Sequence, residues 1–183
     1  WSSDVCSSDL ARRSKAQALL QVGFGVIFPR PEPIGGVSIE IGCAAPYSVA
    51  NLDNTVYFLG QSMQGEAIVW RMKGYTPERV STHAVEFALN QYPQLENTIA
   101  WVYQEEGHFF YCLYVPTADV QWVYDLATGD WHERAHWNPV QCVWRPHVAR
   151  CHAYCWGTHF VGARNSAAVY EMSLDLPTDT LVI

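Results

Sequence analysis

Thr98-Ile-Ala-Trp-Val-Tyr-Gln104, a turn at Gly107, Phe109-Phe-Tyr-Cys-Leu-Tyr-Val115, Val120-Gln-Trp-Val-Tyr-Asp125 and Thr128-Gly-Asp130 leading into Trp131 decide the fold of this chain. Three short runs rich in aromatic and branched residues are separated by turn formers, and a fourth opens at Trp131. Such side chains suit a pleated, half-buried sheet, while Gly and Asp suit its connections. The stretch reads as four successive strands.

The same order recurs on either side. Upstream, Tyr47–Leu52 and Thr55–Leu59 flank the pair Asp53-Asn54, Ala67–Met72 follows Gly65, and Val80 closes a fourth strand. Downstream, Cys151–Trp156 turns at Gly157 into His159–Gly162, and Ala168–Met172 follows. The turns at Asn54, Gly107 and Gly157 lie 53 and then 50 positions apart, and Trp70, Tyr124 and Tyr170 end the equivalent strands. Four strands repeating every roughly 40 to 50 residues is the pattern of propeller blades. The predicted fold is all-β: a partial β-propeller of about three four-stranded antiparallel blades with one short inserted helix. Ser81 or Thr82 caps that helix, Val85, Leu89 and Tyr92 fall at i, i+4 and i+7, and Pro93 stops it. Its expected place is between the first and second blades.

The first ten residues repeat Ser-Ser-Asp without any hydrophobic period and lack the basic and apolar regions of a signal peptide. Residues 1–15 are read as a non-native or disordered leader. Residues 16–183 are read as an incomplete propeller domain, truncated at both ends, because three blades do not close a ring and the third lacks its outer strand. Within it, Ala16–Leu20 suits a short helix and Val22–Phe28 a glycine-broken strand.

Hydrophobic residues make up 49% of the chain and charged ones 16%, which argues against disorder. The net charge of −7 repels phosphate backbones and disfavours broad non-specific nucleic-acid binding; no direct sequence-specific nucleic-acid binding is expected either. The longest apolar run, Phe109–Val115, falls far short of the roughly 20 residues of a membrane helix, and no membrane partner is expected. Six cysteines, at 6, 43, 112, 142, 151 and 155, form no CxxC pair and are expected to be reduced and buried.

Several clusters invite a chemical reading. His132 and His136 would align on a helix as metal ligands, but Trp131 follows a tight turn in a strand-rich region and Pro139 forbids a long helix. Cys151, Cys155, His147 and His152 are close in sequence; on a strand His152 points away from residues 151, 153 and 155, so two buried cysteines fit better than a tetrahedral site. Glu105-Glu106 reads as a solvated hairpin tip beside Gly107, and Asp125 and Asp130 flank a turn; Glu133 completes the candidate carboxylates of a propeller glycosidase. No nucleophile elbow, phosphate loop or dinucleotide fingerprint occurs. Catalytic, cofactor and metal residues are therefore none. Trp101, Tyr103, Phe109, Tyr111, Trp122 and Tyr124 could stack sugars or bases, but alternation places most of them between blades.

Gly74–Glu86, Gly107–Pro116, Trp122–Arg134 and Phe160–Met172, taken in series, resemble the phage stabilisation protein family of short-tailed bacteriophages over roughly residues 40 to 175. The resemblance implies a propeller-bodied tail hub or packaged-DNA stabilisation protein. Such a protein forms a homo-oligomeric ring below the portal and its adaptor, helps seal the packaged genome, and anchors the tail needle and tailspikes. It implies a virion (phage tail) location, with assembly in the host cytoplasm. The chain departs from the family at Ala163, where an acidic residue usually follows Val-Gly, and at Pro177–Thr180, which replaces a Tyr-Thr-Asp-Asn-Gly segment. The loops Gly60–Gly65, Pro116–Asp119 and Arg134–Pro139 are the expected contact surfaces, with Gly65, Asp119, Arg134 and His136 as interface residues. A carbohydrate-binding, lectin-like propeller is the alternative function, and a propeller glycoside hydrolase the third.

Overall fold

Proline has no amide hydrogen to give to a ladder, and Pro46 interrupts the first strand of the sheet that contains it. The computed structural model describes residues 41–138 and 140–173. The leader, the segment 16–28 and the departures at Pro177–Thr180 lie outside these residues. By their internal contacts the described residues form two units, divided in sequence between Thr98 and Ile99.

In the first unit, β1 (Gly42–Cys43) and β2 (Ala50–Leu52) pair with opposite ends of β3 (Thr55–Gln61), which continues to β4 (Ala67–Lys73) and β5 (Thr76–Arg79), all antiparallel. Tyr47–Leu52 was expected to be one strand. Instead Pro46–Ser48 is a 3-10 turn. The buried Ser48 Oγ accepts from Leu59 N at 2.9 Å and donates to Ala45 O at 2.7 Å, so a side chain satisfies the amide that an unbroken strand would have paired. The fourth strand closes at Arg79 rather than Val80, which lies just beyond and donates its N–H to Val69 O.

The predicted helix is α1 (His83–Gln91), with Thr82 at the N-cap position but making no side-chain cap bond. The Ser81 hydroxyl instead accepts from Val69 N and donates to Glu86. At the other end, Asn90 Oδ1 accepts from Ala67 N at 2.9 Å. The helix is thus pinned to β4 at both ends, with Val85 and Leu89 buried and Tyr92 half-buried at its C-cap. Burial would raise the Glu86 pKa, but the bonds from Arg79 and Ser81 outweigh it and hold the carboxyl below its ordinary value.

The second unit opens with a sheet of β6 (Ile99–Glu105), β7 (His108–Val115), β8 (Val120–Asp125) and β9 (Trp131–Glu133) in that order. A hairpin of β10 (Ala135–Asn138) and β11 (Val143–Pro146) follows, then a sheet of β12 (Ala149–Cys155), β13 (Thr158–Ala163) and β14 (Val169–Met172). The third sheet therefore has three strands among the described residues.

The repeat read from the sequence is a repeat of turn geometry. Asp53 and Asn54 have φ of 49° and 55°, Glu106 and Gly107 of 49° and 84°, and Trp156 and Gly157 of 52° and 81°. Positive φ at both central residues marks the two-residue hairpin turn whose twist matches that of its strands. Counting on from these turns, Phe58 pairs with Trp70, Tyr111 with Tyr124 and Val161 with Tyr170, so the three aromatics are structurally equivalent.

Two packed faces form the core. In the first unit Cys43, Phe58 and Met72 cluster with Ile41, Val56 and Trp70. In the second, Trp101, Tyr103, Cys112 and Val123 from one sheet meet Ala149 and Val161 from the other, joined by Phe110, Tyr170 and Met172. Burying an aromatic side chain of this kind contributes about 2–3 kcal/mol.

Gly60 sits where the Trp70 indole crosses β3: a Cβ there would lie 2.6 Å from Trp70 Cδ1 and 2.8 Å from Ile41 Cγ2. A rigid indole cannot yield as a flexible chain end would. Gly60→Ala is expected to lower the unfolding free energy by about 1–3 kcal/mol, read from urea denaturation. A change within error would show that Trp70 is free to move.

Candidate assembly surface

Arg134–Pro139 was expected to be a loop that serves as a contact surface. The structure corrects this: β10 pairs with β11 in full register, Ala135 with Pro146, His136 with Arg145, Trp137 with Trp144 and Asn138 with Val143. Asn138 Oδ1 accepts from Val140 N and Gln141 N, closing the turn with a side chain. The missed signal was the placing of Trp137 and Trp144 on either side of a turn.

The tryptophan pair meets edge to face, with ring centres 5.4 Å apart, and stays open to solvent, Trp144 at 67% and Trp137 at 46% exposure. Val140 and Val143 beside them are exposed too. Clustered apolar exposure of this kind marks contact sites on soluble proteins.

Arg134, expected at an interface, turns inward. Its guanidinium carbon lies 5.5 Å from the Tyr103 ring centre and 5.6 Å from that of Phe110, a cation seated over two stacked rings. Its backbone N–H donates to Gln121 O and its carbonyl accepts from His147 N. Burial pushes the Tyr103 hydroxyl up to about 12 despite the opposing charge of Arg134. Asp119, at φ 51° in the β7–β8 turn, pairs with Arg145 at 3.1 Å and lies 3.7 Å from Arg164. His136 Nδ1 lies 3.0 Å from Pro146 O, where as the N–H tautomer it donates. Gly65, at φ 91°, occupies an exposed tip in the other unit, where Gly65 N donates to Ser62 O and Gln61 Nε2 to Gly65 O. Gly60, assigned to that loop, instead lies within β3.

Asp119, Arg134 and His136 thus share the second unit, whereas Gly65 belongs to the first. His132 and His136 lie on separate strands, β9 and β10, not on one helical face. Among the described residues no three His, Cys, Asp or Glu side chains group as metal ligands. No helix among them is long and apolar enough to cross a membrane.

Glu105 and Glu106 stand at the β6–β7 tip, with Glu106 exposed and at positive φ. Asp125 instead organises the β8–β9 turn: its carboxylate accepts from Ala127 N at 2.9 Å and lies 2.7 Å from His108 Nδ1. Burial works against its charge, but these bonds prevail and hold it below the ordinary carboxylate range.

The buried-thiol expectation holds for Cys43 and Cys112 but fails for Cys142 and Cys151, which are exposed, and for the half-buried Cys155. The pleat explains the last two. His152 and Val161 point at the β6–β9 sheet, so Cys151 and Cys155 occupy the opposite, less covered face.

His152 is the hinge of that packing. It stacks on Trp101 at 5.9 Å, approaches Tyr103 at 5.6 Å, and places Nε2 2.9 Å from His159 Nδ1. One ring must donate and the other accept, so the bond requires at least one neutral imidazole. Burial, and then the neighbouring His159, lower the His152 pKa.

A family model described as Bacteriophage P22 Gp10, beta-propeller matches residues 32–176 of the chain. No curated protein matches it.

A His152 pKa depressed in the fold means that the unfolded chain takes up the proton first. Stability is therefore full above the ordinary histidine value of about 6.5 and falls as the pH drops through the window below it. The thermal midpoint should fall between about pH 7 and pH 5, and His152→Phe should flatten that slope; an unchanged slope would mean that other groups carry it. Arg134→Met keeps the aliphatic stem and removes the cation. It is expected to cost about 0.5–2 kcal/mol of unfolding free energy, read by chemical denaturation, and no loss would show that the ring contact contributes nothing.

Proposed function

Because the chain belongs to the phage stabilisation family, whose model is the β-propeller of bacteriophage P22 Gp10, we propose that it is a tail hub or accessory factor that helps close the portal channel and stabilise packaged DNA. It is a bacteriophage structural protein. In this reading it assembles in the host cytoplasm as a homo-oligomeric ring in the virion tail, contacts the portal adaptor, and anchors the tail needle and tailspikes. The mechanism is geometric: rigid antiparallel sheets hold fixed edges and loops, and repetition around a symmetry axis converts modest contacts into a closed assembly.

The observation that carries the reading is the exposed Trp137–Trp144 hairpin held beside packed sheets. Tryptophan dominates interface energetics, because a large flat surface is desolvated with little loss of side-chain freedom. The neighbouring residues His136, Arg134 and Asp119 take the role of setting the hairpin's position, and Gly65 supplies a separate contact tip. An adaptor or a second subunit that covers the hairpin would bury both rings.

Trp144→Ser tests this. The ring is two-thirds exposed, so the thermal midpoint should move little, with a stability change below about 1 kcal/mol. Incorporation into portal–adaptor complexes, followed by sedimentation, should drop sharply. Incorporation at the wild-type level would remove the hairpin from the interface.

A further inference from the structure

We propose that the groove between the β10–β11 hairpin, the β7–β8 turn and the segment after β13 binds a phosphate group. The groove encloses about 450 Å³ and is lined by Asp119, His136, Gln141, Arg145, Arg164 and Asn165, among others. All of these belong to the second unit.

Two guanidiniums share one carboxylate there. Arg145 Nη1 donates to Asp119 Oδ2 at 3.1 Å, and Arg164 Nη1 lies 3.7 Å from Oδ1, beyond hydrogen-bond reach. Arg145 Nη2 donates to Gln141 Oε1 at 3.0 Å, a neutral acceptor. Asp119 therefore cancels one positive charge of two.

Arg164 is the decisive group. Its side chain is nine-tenths buried, at 10% exposure, yet Nη1 has no hydrogen-bond partner. Its guanidinium carbon rests 4.8 Å from the Tyr114 ring centre, which fixes the fork at the wall of the groove. Arginine does not relieve such a position by losing its proton, and a buried donor whose nearest carboxylate lies beyond hydrogen-bond reach is costly. An anion in the groove removes that cost.

A phosphate fits these donors better than a second carboxylate, because its three free oxygens can engage two forks from different directions. The groove has room for the ion and part of whatever carries it. The chain's net charge of −7 opposes an extended polyanion, so a compact group, either free phosphate or a small phosphoester, is the ligand.

Calorimetric titration of the full chain with inorganic phosphate, at ionic strength held constant with sodium chloride, tests the site. Saturable binding is expected. Arg145→Gln should weaken it by about tenfold or more, the loss of one charge-assisted bond. Asp119→Asn should tighten it, because the competing carboxylate is gone; a purely structural Asp119 would not produce that gain. Thermal unfolding of Arg145→Gln verifies that this variant is folded. Duplex DNA at low salt separates the sources: competition with phosphate would assign the site to a phosphodiester backbone, and its absence to the compact ligand. An absence of saturable binding, or equal affinity in Arg145→Gln, would overturn the proposal.

Discussion

Face-to-face packing of two sheets through a column of stacked rings organises the second unit. Trp101 and Tyr103 project from one strand with ring centres 5.4 Å apart, and Phe110 stacks on Tyr103 at 4.7 Å. His152 reaches in from the facing sheet to both. A sheet can hide only one face by itself folding against a single neighbour, so these rings leave water only when the second sheet lies over them. Arg134 then closes one end of the column as a cation over Tyr103 and Phe110. The connection after β9 is placed by that contact, and the exposed hairpin follows directly from it along the chain.

The first unit solves a different problem with polar groups. Its opening strand is broken by Pro46, and a broken strand leaves a neighbouring amide without a partner. Ser48 supplies the missing acceptor to Leu59, Ser81 does the same for Val69, and Asn90 for Ala67. Three side-chain oxygens thus complete a ladder that backbone alone would leave open, and two of them tie the helix to the sheet. Buried amides without such partners would each cost about 1–3 kcal/mol.

Polar chemistry in the second unit is concentrated at a boundary between elements distant in sequence. Asp119 stands in a turn, Arg145 in a hairpin strand and Arg164 beyond β13, and folding brings all three to one groove. The carboxylates that invited a catalytic reading behave otherwise. Asp125 spends both oxygens on Ala127 and His108, locking the β8–β9 turn against the start of β7.

Local information was enough for the turns and for most strands. Asp53-Asn54, Gly107 and Gly157 mark hairpins because Gly, Asn and Asp accept positive φ more readily than other residues, and the alternation on either side of them gives the strands and the equivalence of Trp70, Tyr124 and Tyr170; Trp156, read as the end of a strand, takes positive φ in the turn instead. The family, too, was legible in the order of four short segments. What tertiary structure alone decided was which side chains are covered. Cys151 and Cys155 looked like core residues, yet the neighbouring sheet lies over His152 on the other face of the strand. Arg134 looked like a surface charge, yet its partners are rings from β6 and β7. The turns depend on backbone conformation within a few residues, which sequence specifies directly; burial and pairing depend on strands far apart in the chain, whose meeting no local pattern records.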